Sequence, residues 1–219
     1  MIYKNIHKAL VGLSFFIPLI IYIITMAPTT SFWDCGEFIA TSVILGVPHP
    51  PGAPLYLLLG NIFSSLPTFT DIGARVNLIS PIASAFSVMF LYLIIVYLIE
   101  EYRGKVATIY DAIIIYGSAF TAAITFSVTD AHWFNAVEAE VYSLSTFFTA
   151  IVVWMILKWS NDNNWNIRYL LIIVYILGLA IGVHLLNLLA LPFIGLIILF
   201  KKFNYSFKSF LLTVLLTII

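Results

Sequence analysis

Charge is what this sequence has least of. Ten Lys and Arg and ten Asp and Glu are spread over 219 residues, 9% of the chain, and they sum to zero. Soluble domains carry about 25% charged residues. A soluble fold that is 62% hydrophobic could not cover its own surface. Zero net charge and the lack of a basic stripe exclude a nucleic-acid partner, because nothing would neutralise phosphates along a duplex. A single cysteine, Cys35, excludes an internal disulfide. No H-E-x-x-H spacing occurs, and His132 and Glu138 do not supply it, so no residue is assigned as a metal ligand. There is no internal repeat, low-complexity tract or polar stretch long enough for a soluble domain.

Long apolar runs are abundant, and mean hydropathy is +1.07. A bilayer core needs about 20 apolar residues per crossing helix. Runs at 9–27, 77–99, 108–127, 142–158, 168–183, 185–200 and 209–219 are the expected spans. The run 10–26 is long for a signal-peptide core and lacks a cleavage pattern, so it reads as a retained first helix. The stretch 54–66 lies between Pro54 and Pro67 and is too short to cross comfortably, which predicts a re-entrant or interfacial helix. The expected fold class is therefore an all-α, polytopic transmembrane helical bundle. It forms a single transmembrane domain over 1–219. The chain stops inside the apolar run 211–219, so we expect the N-terminal part of a longer membrane domain.

Alternating these spans sorts the basic residues. Lys4, Lys8, Arg103, Lys105, Lys158, Arg168, Lys201, Lys202 and Lys208 fall on one side, and only Arg75 falls on the other. The positive-inside rule then predicts a cytoplasmic N-terminus. The outer side keeps Asp34, Glu37, Asp71, Asp130, Glu138 and Glu140 with His49, His132 and His184, and almost no basic counter-charge. That asymmetry is the functional signal.

In Trp33-Asp-Cys-Gly-Glu37 the two carboxylates are three residues apart. On a helix they share a face, an arrangement that suits a general base with a positioning partner. Alternatively Asp34 caps a helix running through Glu37 to Leu45. The segment 45–56 holds four prolines and two glycines. It cannot be a regular helix, and it fixes the path around His49; a plain structural turn is the other reading. Tyr56 could reach a substrate or sit in the interfacial aromatic belt. Arg75, four residues after Asp71, could bind a phosphate or pair with that acid. Glu138 and Glu140 are two apart, so on one helix at most one faces a shared site. Glu140 is favoured because it opens the next span; acids complementing the helix dipole are the alternative. His184 interrupts an apolar sequence, as a functional group or a satisfied packing residue. Gly178 and Gly182 suggest close helix packing.

Trp33-Asp-Cys-Gly-Glu37, Gly46-Val-Pro-His-Pro-Pro-Gly-Ala-Pro-Leu-Tyr56, Asn77-Leu-Ile-Ser80, Trp133 to Tyr142 and Gly178 to His184 occur in that order. Together they resemble glycosyltransferase family 117, bacterial membrane proteins with a eukaryotic relative that is a protein O-mannosyltransferase. The resemblance covers most of the chain. It implies a GT-C-like fold with interfacial helices in the first outer loop, and an enzyme of the bacterial inner membrane working on the periplasmic side. Sugar, mannose by analogy with the eukaryotic relative, would pass from a polyprenyl-phosphate carrier to a protein or glycan hydroxyl. Asp34 is then the expected catalytic acid, with Glu37 second. His49, Tyr56, Arg75, His132, Glu140 and His184 are candidate substrate-binding groups. A lipid-linked donor, an acceptor and membrane lipid are the expected partners, and a divalent ion is an open companion. A transporter or a non-catalytic subunit of a cell-envelope complex are the rival readings.

Overall fold

The computed structural model describes residues 2–162 and 166–218. It is all-helical, with no strand among the described residues. Five helical stretches are long and apolar enough to cross a membrane: Tyr3–Thr25, Ile72–Arg103, Ile109–Ser127, Val141–Ser160 and Leu185–Lys202. The runs expected at 168–183 and 209–219 form shorter helices, Ile167–Ile181 and Phe207–Ile218. The first of these rises about 22 Å, against about 30 Å of hydrocarbon. It is held to that length by its ends. The Asn166 side chain caps the start by accepting from Arg168 N–H at 3.1 Å, and a turn at Gly182 closes the other end.

We number the helices α1 (Ile2–Thr25), α2 (Cys35–Ile44), α3 (Pro54–Ser65), α4 (Ile72–Asn77), α5 (Ile79–Arg103), α6 (Ile109–Ala112), α7 (Ser118–Ser127), α8 (Asp130–Ala136), α9 (Val141–Ser160), α10 (Ile167–Ile181), α11 (Ala190–Lys202) and α12 (Phe207–Ile218). A π-helical turn, Ile113–Gly117, joins α6 to α7, and a 3-10 turn, Leu185–Leu189, leads into α11.

The centre of the bundle is α5, which packs on α1, α7 and α9. Its buried positions are rich in small residues, among them Ala83, Ser84, Ala85 and Ser87. Small side chains let helix backbones approach closely where lipid gives no hydrophobic drive for association. Ser84 donates to Ser143 across the α5–α9 contact at 3.0 Å, so the hydroxyl is satisfied inside the bundle.

Between α1 and α5 the chain makes α2, α3 and α4, which pack on one another. The stretch expected at 54–66 is α3. Pro54 sits in its first turn, where a missing N–H costs nothing. A Cβ on Gly60 would lie 2.2 Å from Ser42 Oγ, so glycine is what allows α2 and α3 to touch. Gly178 has open space around it, so the paired-glycine packing expected there is confined to Gly182. A Cβ at Gly182 would lie 3.2 Å from both Leu179 O and Leu55 Cβ.

Three long-range hydrogen bonds bring the polar loops to one end. Ala27 N–H donates to Val137 O at 2.8 Å, Leu55 N–H to Gly182 O at 2.8 Å, and Asn77 Nδ2 to Ala27 O at 2.8 Å. At the opposite end Lys201 donates to Asp162 O at 2.7 Å, and Lys105 pairs with Glu100 at 2.8 Å.

Candidate functional site

Asn77 builds the site without lining it. It is fully buried. Its amide donates to Ala27 O and Thr29 O at 2.8 and 2.9 Å, and its Oδ1 accepts from Ala139 N–H at 2.9 Å. The Cys35 thiol also points to Oδ1, at 3.7 Å. One side chain thus ties the loop before α2, the first residue of α2 and the segment before α9. Those ties set Asp34 beside Glu140.

Asp34 occupies the N-cap position of α2, but its side chain makes no cap bond, which leaves the carboxylate free. The preceding residue, Trp33, has φ +55° and is 84% exposed. That left-handed backbone is costly for a bulky side chain and lifts the indole out of the fold. Two residues into the helix, Glu37 turns back to the proline-rich loop. Its Oε1 accepts from the His49 backbone N–H and its Oε2 meets His49 Nδ1, both at 2.7 Å. The His49 Nε2 lies 4.0 Å from Asp34 Oδ2. The loop is held by the turn bond from Gly52 N–H to His49 O at 3.0 Å, and Gly52 has φ +79°, where glycine fits without strain. Each partner stabilises the other's charge. The hydrogen bonds from His49 lower the Glu37 carboxyl below its usual range, and the bond to Glu37 raises the His49 imidazole.

Two adjoining clefts meet at Asp34. The smaller, about 40 Å³, is lined by Asp34, His49, Glu140, Tyr142 and His184 among others. It takes an ion or a few waters. The wider, about 300 Å³, runs between Trp33, Phe134 and Tyr142 over Asp34, Asn135, Glu138 and Glu140. Aromatic walls over a carboxylate and amide floor are a chemistry that suits a polyol ring. Glu140 is 4% exposed, and burial together with the charges of Asp34 and Glu138 raises its pKa to about 7. His184 begins the 3-10 turn, its Nδ1 accepting from Leu186 N–H at 3.1 Å. That bond leaves Nε2 to carry the proton of the neutral ring. The Tyr142 ring lies 5.2 Å from His184.

The structure therefore brings together Asp34, Glu37, His49, Glu140 and His184. Three candidates lie elsewhere. Arg75 donates to the carbonyls of Phe69, Ser64 and Thr70 at 2.6, 3.1 and 3.5 Å. It is neither at the clefts nor paired with Asp71, which caps α4 by accepting from Ala74 N–H at 3.1 Å. His132 is buried against Phe126 and Tyr22, with ring centroids 4.4 and 6.0 Å away, and desolvation lowers its pKa to about 4. Tyr56 is fully buried below the clefts, 5.4 Å from the Phe38 ring, and so belongs to the core rather than to an interfacial belt.

The expectation that Glu138 and Glu140 diverge presumed a shared helix. Glu138 lies in the bend after α8, and Glu140 is the extended residue before α9, so both reach the wider cleft. Sequence reasoning did not single out Asn77 as a positioning residue. A lone amide at the head of a long apolar run was the available signal, since polar groups there need partners.

The sequence model described as Protein O-mannosyl-transferase TMEM260 N-terminal domain matches residues 34–207. The chain belongs to this family. The match to the TMEM260 N-terminal domain starts at Asp34 and takes in every residue lining the two clefts except Trp33. The Protein O-mannosyl-transferase tmem260 of Dictyostelium discoideum is 28% identical over 156 residues, 70% of this chain and 17% of that protein. The Protein O-mannosyl-transferase TMEM260 of Mus musculus is 28% identical over 133 residues, 61% of this chain and 17% of that protein. The alignments thus span 17% of the length of each of these curated relatives. No solved structure matches.

Proposed function

We propose that this chain carries the catalytic face of a membrane glycosyltransferase of the GT-C type, in glycosyltransferase family 117. It transfers a sugar, mannose, from a polyprenyl-phosphate carrier to a hydroxyl of a protein Ser or Thr on the non-cytoplasmic side. The observation that carries this reading is the position of Asp34, a carboxylate free of cap bonds where the two clefts meet. Support for the reaction class comes from the names of the relatives. Support for sidedness comes from the nine basic residues assigned to the end away from Asp34.

In this mechanism the sugar lies in the wider cleft against Trp33 and Tyr142. Asp34 accepts the proton of the acceptor hydroxyl as its oxygen bonds to the anomeric carbon. The bond from that carbon to the phosphate oxygen breaks, and polyprenyl phosphate leaves with the electron pair. The Nε2–H of His184 is the donor available to the departing phosphate oxygen. Glu37 positions His49 and through it the loop that walls Asp34. A single displacement inverts the anomeric centre.

The test uses purified protein in lipid nanodiscs with labelled mannose on polyprenyl phosphate or on a nucleotide, and a Ser/Thr peptide acceptor. Transfer from the lipid donor alone, with inverted product, is the expected result. Transfer from the nucleotide donor alone, or retained configuration, would refute the reading.

A further inference from the structure

We infer that Asp34 and His49 Nε2 form the core of a site for one divalent transition-metal cation, with Glu37 as the outer carboxylate that holds the imidazole and Glu140 on the wall of the same cleft. One ligand-capable atom from each of Asp34, Glu37 and His49 lies within 4.8 Å of the others. Their roles differ. The 2.7 Å contact between Glu37 Oε2 and His49 Nδ1 places the proton of a neutral ring on Nδ1 and leaves a lone pair on Nε2. A second bond, from the His49 backbone to Glu37 Oε1, fixes the ring's loop as well. A carboxylate behind a histidine whose other nitrogen is free is the usual support of a metal-ligating imidazole. The free nitrogen is 4.0 Å from Asp34 Oδ2, too far for a hydrogen bond and within the span of two ligands about 2.1 Å from one ion.

A separate observation points the same way. Glu138 is 1% exposed, and its carboxylate has only contacts of poor hydrogen-bond geometry, from Ser31 and the Phe32 backbone, with no cationic partner. It lines the wider cleft with Asp34 and Glu140, itself 4% exposed. No Lys or Arg lines either cleft among the described residues, and Arg75 is bonded to backbone carbonyls. Buried carboxylates without counter-charge are strongly disfavoured, and a cation at Asp34 supplies it. One imidazole with carboxylate oxygens suits Zn2+ or Mn2+ better than Ca2+. The smaller cleft is of a size for an ion and its waters.

This inference concerns the same cleft as the transfer reaction but does not depend on what reacts there. Chelator-stripped protein in nanodiscs is titrated with Mn2+, free ion is read by electron paramagnetic resonance, and no donor or acceptor is present. One saturable site displaced by Zn2+ is expected. His49→Ala and Asp34→Asn should each weaken it by about tenfold or more, and Glu37→Gln by roughly 10- to 100-fold, each compared well below the melting temperature of its metal-free protein. His132→Ala should bind as wild type. No saturable binding by wild type, or binding that survives both Asp34→Asn and His49→Ala, overturns the site. Because no sugar is present, that failure leaves the glycosyltransferase reading intact, and a loss of transfer with binding retained counts against that reading alone.

Discussion

The side-chain oxygen of Asn77 accepts from the backbone N–H of Ala139 at 2.9 Å, joining residues 62 positions apart in the chain. With the two bonds its amide donates to Ala27 and Thr29, it is the pin on which the first loop and the segment before α9 are both hung. Asn77→Ala strands two part-buried carbonyls and a buried N–H. The expected cost is roughly 3 kcal/mol, read as a lower melting temperature in detergent. Transfer should fall with it, because Asp34 and Glu140 lose their common frame. Asn77→Asp keeps the acceptor but loses the donors, so it should not rescue either.

Glu37 and His49 make a pH-dependent clasp. The Glu37 carboxyl is lowered, so its contribution is present above the ordinary carboxylate value of 4.5 and is lost as pH falls through the folded value. His49 is raised, so its contribution is full below the ordinary 6.5 and is lost as pH rises through the folded value. Between 4.5 and 6.5 the clasp is complete. In Glu37→Gln the His49 ring should titrate at lower pH, followed by its NMR signal. Transfer should drop by about 10- to 100-fold through misplacement of the loop. An unchanged His49 titration would show that the clasp does not form.

Glu140 works against the fold. Its carboxyl is raised to about 7, so the native state holds a proton that the unfolded chain releases above 4.5. Stability should therefore fall as pH rises from 4.5 to about 7 and level off beyond. Glu140→Gln removes that loss. It should raise stability at pH 8 by up to roughly 3 kcal/mol and have little effect at pH 4. Transfer should decline at both. A variant that melts earlier at pH 8 would contradict the assignment.

Trp33 combines a left-handed backbone with an 84% exposed indole. A bulky residue held that way for stability alone has no physical rationale. Trp33→Gly should change stability by less than about 1 kcal/mol, since lost backbone strain offsets added chain entropy. The KM for the lipid-linked sugar should rise, with kcat less affected, if the indole walls the sugar cleft.

Much of this architecture could be read from residue order. Apolar runs fixed the helices, and the charge asymmetry put Asp34, His49, Glu140 and His184 at one end before any contact was known. Prolines flanking His49 announced a rigid loop. Other features were hidden for physical reasons. The Glu37–His49 clasp spans 12 residues across a non-helical path, where no periodicity applies. Arg75 read as a phosphate ligand or a partner of Asp71 because hydrogen bonds to backbone carbonyls leave no mark on side-chain spacing. Glu138 was set aside on a helical premise that the bend before α9 removes. The run expected to end at 183 stops at Ile181, because hydropathy does not register the turn at Gly182.

The central claim is that Asp34 is the base of a sugar transfer. The most direct measurement is single-turnover transfer of labelled mannose from polyprenyl phosphate, comparing wild type with Asp34→Asn in nanodiscs at matched melting temperature. The account predicts a loss of about 10²- to 10⁴-fold in the chemical step with donor binding retained. Transfer by Asp34→Asn at the wild-type rate would contradict it.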